Sequence, residues 1–129
     1  MERRRSAFQN GGIMMVETIF FLIILLISIG PIIILGIVQY RSKEPVGFWS
    51  GEEPPGKEQI TDVKAYNRRH GLMWIVYGMG FILCFVCGLP FGGRIAAYLC
   101  MMEAIGGILG MIAYHNKLNR MYGRKQEDK

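Results

Sequence analysis

Three long apolar runs constrain this chain more than any other feature of its sequence. They cover residues 18–38, 72–89 and 95–114, and Glu103 is the only charged residue inside them. At about 1.5 Å per residue, a helix of ~20 residues reaches roughly 30 Å, which is the thickness of a bilayer's hydrocarbon core. The sequence therefore predicts an all-α membrane protein in which three transmembrane helices form one membrane domain over residues 1–129.

The short links around these runs predict how the helices connect. Pro90 and Gly92 separate the second run from the third by only a few residues. A link this short predicts an antiparallel hairpin of two spans. Pro31 lies inside the first run, and a proline removes one helical hydrogen bond and clashes with the carbonyl four residues earlier. A kink is therefore expected in the first span.

Residues 41–71 form the one sizeable loop. The first half is rich in Gly, Pro and acidic residues, which is typical of turns and extended chain. The second half predicts a short juxtamembrane helix before the second span, capped by Thr61, with Asp62 in its first turn. Its weak apolar face suggests that it lies along the membrane surface. The polar tail, residues 121–129, is expected to be disordered.

The distribution of basic residues predicts the orientation. Of the 15 Lys and Arg, four lie on the side of the N-terminus and the other 11 lie in the large loop or after the third run. Basic loops are retained in the cytoplasm. The chain is therefore expected in the plasma membrane with its large loop and C-terminus cytoplasmic. The net charge of +5 is explained in this way, without a nucleic-acid partner.

The arginines near the N-terminus oppose this orientation, and the coding sequence offers a reason. Gly11 and Gly12 can be encoded by GGAGGA, which reads as a bacterial ribosome-binding site a few nucleotides before the codons of Met14 and Met15. The hypothesis is that translation starts at one of these methionines and that residues 1–13 are not made natively. Mass spectrometry of the native protein would disprove it by finding peptides that contain Phe8.

Glu103 is the residue most indicative of function, because it is expected near the bilayer midplane. An acidic residue there costs several kcal/mol on most scales and usually faces the bundle interior. Counting residues along the three spans places Ser28 at the same depth and Tyr77 about one turn away. One interpretation is a proton or ligand site formed by these groups. The other is a structural Glu that hydrogen-bonds within the bundle.

Small residues surround Glu103 along the third run and suggest a face for helix packing. Glycines allow two helix backbones to approach closely, and a Gly-x-x-x-Gly spacing is a common packing pattern. The residues predicted to pack in this way are Gly106, Gly107 and Gly110 on the third run, and Gly78 and Gly80 on the second.

The loop contains a second candidate site. Gly47, Phe48, Trp49 and Ser50 place two large aromatic side chains beside glycine, and Tyr66, Asn67 and His70 follow later in the loop. One interpretation is an interfacial anchor, a role that Trp and Phe often have. The other is a docking loop for a partner. His115 lies beyond the third run and is not expected to assist His70.

No pattern in the sequence is typical of catalysis. There is no nucleophile triad, phosphate-binding loop or cluster of metal ligands. The three cysteines lie inside the apolar runs and are expected to be small apolar helix residues rather than disulfide, redox or metal sites. The chain is therefore expected not to be an enzyme, and neither a cofactor nor a metal is predicted.

The order of these features resembles the SdpI-like bacterial membrane proteins, whose namesake confers immunity to a secreted toxin. The resemblance covers residues 20–115 in outline and rests on Val-Gly-Phe-Trp-Ser at 46–50 and Tyr-Asn-Arg-Arg-His-Gly at 66–71. The family's loop motif commonly has Arg-Thr where Trp49-Ser50 stand here, and its surface helix usually carries a Trp. The resemblance implies a bacterial membrane protein with an immunity or signalling role.

Three functions remain open at this point. The first is a binding or regulatory membrane protein that recognises a peptide, a lipid or another membrane protein. The second is a small proton-coupled transporter, or a transporter subunit, that forms a homo-oligomer and uses Glu103. The third is a structural membrane protein in which Glu103 and the glycines only pack the bundle.

Overall fold

Three helices build the protein. The computed structural model describes residues 2–49 and 51–124, and these form helices α1 (Glu2–Arg41), α2 (Val63–Gly88) and α3 (Gly93–Tyr122). Each helix is long and apolar enough to cross a membrane. Many large apolar side chains on their outer faces are exposed, including Ile27 and Met102. Such surfaces are unfavourable in water but suit lipid. The predicted all-α, multi-pass membrane architecture is confirmed.

Helix α2 lies between the other two helices and provides most of the interhelix packing. It packs along α1 on one side and along α3 on the other, whereas α1 and α3 make at most marginal contact. The chain reverses between α2 and α3 through a single 3-10 turn at Leu89–Phe91. Gly92 ends this turn at a φ of 104°, a conformation that favours glycine. The predicted antiparallel hairpin is confirmed.

The helices are longer than the apolar runs. Helix α1 begins at Glu2, includes residues of the 1–13 segment, and continues through Pro31 without ending. The predicted juxtamembrane segment is helical, but it is the first part of α2, because the chain from Val63 continues into the span without a break. No proline interrupts residues 63–71, and Gly71 lies in a close contact with α1.

The loop that joins α1 to α2 therefore spans only residues 42–62, with a 3-10 turn at Lys57–Gln59. Asp62 caps α2, since its carboxylate accepts a hydrogen bond from the backbone N–H of Ala65 at 2.9 Å. The predicted cap, Thr61, instead donates its hydroxyl to the carbonyl of Tyr122. A carboxylate one residue later is better placed for the first free N–H groups of the helix.

The end of α3 is attached to this loop. Ile60 pairs with Gly123 in an antiparallel bridge, and the backbone N–H of Arg124 donates to the carbonyl of Gln59. Residues 121 and 122 belong to α3, so the predicted disordered tail is wrong for these positions. Residues 125–129 lie outside the described residues.

Candidate functional site

A buried layer of polar side chains crosses the bundle at the loop end. Asn67 and His70 are fully buried, and Gln39 and His115 are buried as well. Buried polar groups are costly unless hydrogen-bonded, so a layer of this kind requires a complete set of partners. The polar layer consists of Gln39 from α1, Tyr66, Asn67 and His70 from α2, His115 from α3 and, at its exposed edge, Asn119 from α3.

The two histidines are in direct contact at the centre of the polar layer. His70 Nε2 lies 2.9 Å from His115 Nδ1, a hydrogen-bond distance at which one nitrogen must carry the proton and the other must accept it. On the α1 side, His70 Nδ1 lies 3.3 Å from Gln39 Oε1. On the α3 side, His115 Nε2 lies 3.0 Å from the amide nitrogen of Asn119. The pair therefore links all three helices.

The direction of every hydrogen bond in the series from Gly47 to Tyr66 follows from the groups at its two ends. Gln39 Nε2 donates to the carbonyl of Gly47, so Gln39 Oε1 faces His70 and accepts from it. His70 must then accept from His115, and His115 accepts from the amide of Asn119. Tyr66 donates its hydroxyl to the carbonyl oxygen of Asn119 at 3.2 Å. This arrangement satisfies each group while both imidazoles are neutral.

Asn67 attaches the loop to the polar layer. Its amide nitrogen donates to the carbonyls of Ser42 at 3.1 Å and Glu44 at 2.7 Å. Its carbonyl oxygen accepts from the backbone N–H of Val46 at 3.2 Å. One side chain therefore satisfies three backbone groups of the loop, which explains why an asparagine is buried here.

Phe48 closes the polar layer from the loop side. Its ring is buried and stacks on His115 at a centroid distance of 4.8 Å and an angle of 21°. Phe48 also packs against Met73, Tyr77 and Met111 in the apolar core. The ring is therefore an internal wedge between α2 and α3.

The docking-loop interpretation fails for most of the loop motif. Phe48, Tyr66, Asn67 and His70 are buried, and Gly47 contributes a carbonyl to the polar layer, so these residues do not form an exposed docking surface. Trp49 is 53% exposed and stays available to a membrane interface or a partner. Ser50 lies outside the described residues.

His115 is the functional residue that the sequence reasoning missed. It lies just after the third apolar run, and His70 lies just before the second, so an antiparallel hairpin places both at one end of the bundle. The expectation that His115 would not assist His70 is wrong. Counting residues to the ends of the two spans would have detected the pair.

Glu103 lies on the side of α3 that faces α2. Its carboxyl is directed at the backbone of Gly80 on α2, close to Gly107 on its own helix. The Tyr77 hydroxyl lies nearby and donates to the carbonyl of Ala104 at 3.3 Å. Glu103 makes no hydrogen bond within the part of the chain that the structure describes. Among the described residues, this carboxyl inside the span is thus left without a hydrogen-bond partner.

A cleft runs from Glu103 toward the polar end of the bundle. It has a volume of about 320 Å³ and lies between α2 and α3. Glu103 lies at its inner end and Arg69 at its outer end. The guanidinium of Arg69 lies close to the phenol groups of Tyr114 and Tyr122. The walls between these ends are Leu72, Met73, Val76, Tyr77, Gly107, Gly110, Met111 and Tyr114.

Ser28 is not part of this site, so the predicted meeting of Ser28 with Glu103 is wrong. Its hydroxyl donates to the carbonyl of Ile24 in its own helix at 2.8 Å, an internal bond that serine often makes in helices. Ser28 lines a separate groove between α1 and α3, which also includes Phe85 and Ala97. The two helices diverge there, because α2 separates them.

The predicted packing glycines divide into two groups. Gly78 packs against Ile33 of α1, Gly80 against Glu103, and Gly107 against the ring of Tyr77. A Cβ atom added at Gly106 or Gly110 would meet no atom within 4 Å, so their predicted packing role is wrong within one chain. Gly110 instead leaves space in the cleft.

Three glycines outside the prediction make the closest helix contacts. Gly36 of α1 and Gly71 of α2 face each other, so that each would place a Cβ atom against the backbone of the opposite helix. Gly88 packs in the same way against Ala96 near the hairpin turn. These positions set the separation of α2 from both neighbours.

Metal binding and similarity to known proteins give no further assignment. Within residues 2–49 and 51–124, no three His, Cys, Asp or Glu side chains are grouped so that they could hold a metal ion, and the three cysteines are free. No family model, curated protein or solved structure matches this chain.

Proposed function

We propose that this chain is a non-enzymatic membrane protein of binding or regulatory type, which recognises a ligand in the cleft between α2 and α3. The observation that carries the proposal is the carboxyl of Glu103, which lies at the inner end of an apolar cleft without a hydrogen-bond partner among the described residues. A carboxyl inside a membrane span that lacks a partner is costly to retain, and such residues usually mark functional sites.

The rest of the site supports binding rather than catalysis. The polar layer engages both imidazoles in hydrogen bonds, so neither ring nitrogen is directed at the cleft. Arg69 is exposed at the outer end, beside Tyr114 and Tyr122, where it can recognise an anionic group. An immunity or signalling role of the SdpI-like kind belongs to this class of function.

The orientation is part of the proposal. We place the polar layer, the loop and the end of α3 at the cytoplasmic face of a bacterial plasma membrane, because 11 of the 15 basic residues lie at that end. The outer end of the cleft then opens near the cytoplasmic leaflet, and Glu103 lies deeper in the membrane.

Photo-crosslinking from inside the cleft tests the proposal. A photoreactive amino acid in place of Val76, which lines the cleft and is 61% exposed, should capture one distinct species when native membranes are irradiated. Adding Gly110→Leu, which fills part of the cleft, should weaken this capture about fivefold or more, a loss of about 1 kcal/mol. The captured species is read by mass spectrometry.

Val86 provides the matched control. It is on the same helix and 56% exposed, but it does not line the cleft. Identical products from the two positions would show that the cleft holds nothing specific.

The unpartnered carboxyl also favours a second candidate, a proton-coupled transporter. In that case the wild-type chain would conduct protons in proteoliposomes and Glu103→Gln would abolish this flux. A binding protein would show no proton flux in either form.

A further inference from the structure

Arg69 lies at the junction of two cavities of opposite character. Toward the membrane centre it closes the apolar cleft between α2 and α3. On the other side it lines a second cavity of about 340 Å³, together with Asp62, Lys64, Ala65, Arg68 and Tyr122. A single molecule that occupies both cavities must therefore pass Arg69, with a polar part on one side and an apolar part on the other.

The charge of the second cavity indicates which polar part fits. Its lining contains three cations, Lys64, Arg68 and Arg69, and one carboxylate, that of Asp62. The carboxylate is already engaged as the cap of α2. The cavity therefore presents a net positive charge of two, and an arginine fork suits the paired oxygens of a phosphate.

The shape of the cleft indicates the apolar part. Leu72 and Val76 line the cleft and are each more than half exposed, so the cleft opens sideways into the surrounding lipid. The carboxyl of Glu103 is directed at Gly80, the ring of Tyr77 fills the space beside Gly107, and Gly110 leaves room where a larger side chain would stand. A groove of this kind accepts an acyl chain directly from the bilayer.

We infer that the site binds an anionic phospholipid of the leaflet at the loop end, with its phosphate held by Arg69 and one acyl chain in the cleft. The inference rests on the proposed function and names the class of ligand for the same cleft. A phospholipid is favoured over a free anion because the lateral opening admits a chain that a free anion lacks. It is favoured over a zwitterionic lipid by the excess of cations around Arg69.

Native mass spectrometry of the purified full-length chain in detergent tests the inference. Phosphatidylglycerol and phosphatidylcholine with identical acyl chains are compared as probes. The wild-type chain should retain phosphatidylglycerol about tenfold more strongly, and Arg69→Gln should remove most of this preference. Arg120→Gln is the matched control, because it removes the same charge at the same end of the bundle but lines neither cavity.

The acyl part is tested by filling the cleft. Val76→Trp should reduce phosphatidylglycerol binding, whereas Leu83→Trp, on a lipid-facing position outside the cleft, should not. Equal retention of the two lipids, or equal effects of the Arg69 and Arg120 substitutions, would overturn the inference. Capture of a peptide at Val76 would refute the lipid while leaving the binding cleft in place, and capture of nothing specific would refute both.

Discussion

Replacing Gly71 with alanine is expected to separate α1 from α2 and to destabilise the bundle by about 3 kcal/mol. The added methyl group would collide with the carbonyl of Gly36 and with the backbone of Tyr40. Overpacking costs about 1–3 kcal/mol when side chains relax, and the upper end applies here because both obstacles are backbone. The free energy of unfolding of the full chain in detergent micelles measures the effect.

Gly106→Ala is the matched control for this substitution. It also adds one methyl group to a glycine inside a helix, but nothing lies within 4 Å of the new atom. Alanine is a better helix former than glycine by about 1 kcal/mol, so this variant should be as stable as the wild type or slightly more stable. Equal losses in the two variants would contradict the close contact between α1 and α2.

Replacing His70 with leucine is expected to cost about 3 kcal/mol. The substitution nearly conserves volume, but it leaves Gln39 Oε1 and the Nδ1–H of His115 buried without their partner. Each buried polar group that loses its partner costs about 1–3 kcal/mol. His115→Leu should cost about 1–3 kcal/mol, because it leaves His70 Nε2 buried without its donor, whereas Asn119 is exposed and can hydrogen-bond water. Unfolding in detergent micelles again provides the measurement.

The double substitution distinguishes a coupled pair from two independent residues. Replacing both histidines removes both sides of the central hydrogen bond, so the combined loss should fall short of the sum of the single losses by about 1 kcal/mol or more. His70→Leu combined with Gly106→Ala should instead be additive, because the two sites share no contact. Additive losses for the two histidines would show that their contact contributes nothing to stability.

The architecture was predictable because hydropathy acts over long segments. A run of about 20 apolar residues has few alternatives to a spanning helix, and the turn at Pro90 and Gly92 leaves no length for anything except a hairpin. The contact of Glu103 with Gly80 follows from the same short turn, because the turn decides which residues of α2 and α3 lie at one level. Helix ends were less predictable, since nothing in the local sequence separates residues 63–71 from the span that follows.

The site was less predictable because its residues are brought together by packing. Phe48 lies in a segment rich in glycine, proline and acidic residues, where an aromatic ring suggests a surface anchor. Its ring is instead buried and stacks on His115. Gly36 and Gly71 are far apart in sequence, and no spacing pattern within one helix reveals that they face each other. Gly106 and Gly110 have such a pattern but lack an opposing helix.

The carbonyl of Gly47 has a consequence for the tautomers of both imidazoles. A carbonyl only accepts, so it fixes the amide of Gln39, which in turn places the proton of His70 on Nδ1 and that of His115 on Nδ1. Reversing the chain of hydrogen bonds would direct the Gln39 oxygen at that carbonyl. The tautomeric state of the two histidines therefore reports whether the carbonyl of Gly47 is bound to Gln39. Nitrogen NMR of the two imidazoles would measure it.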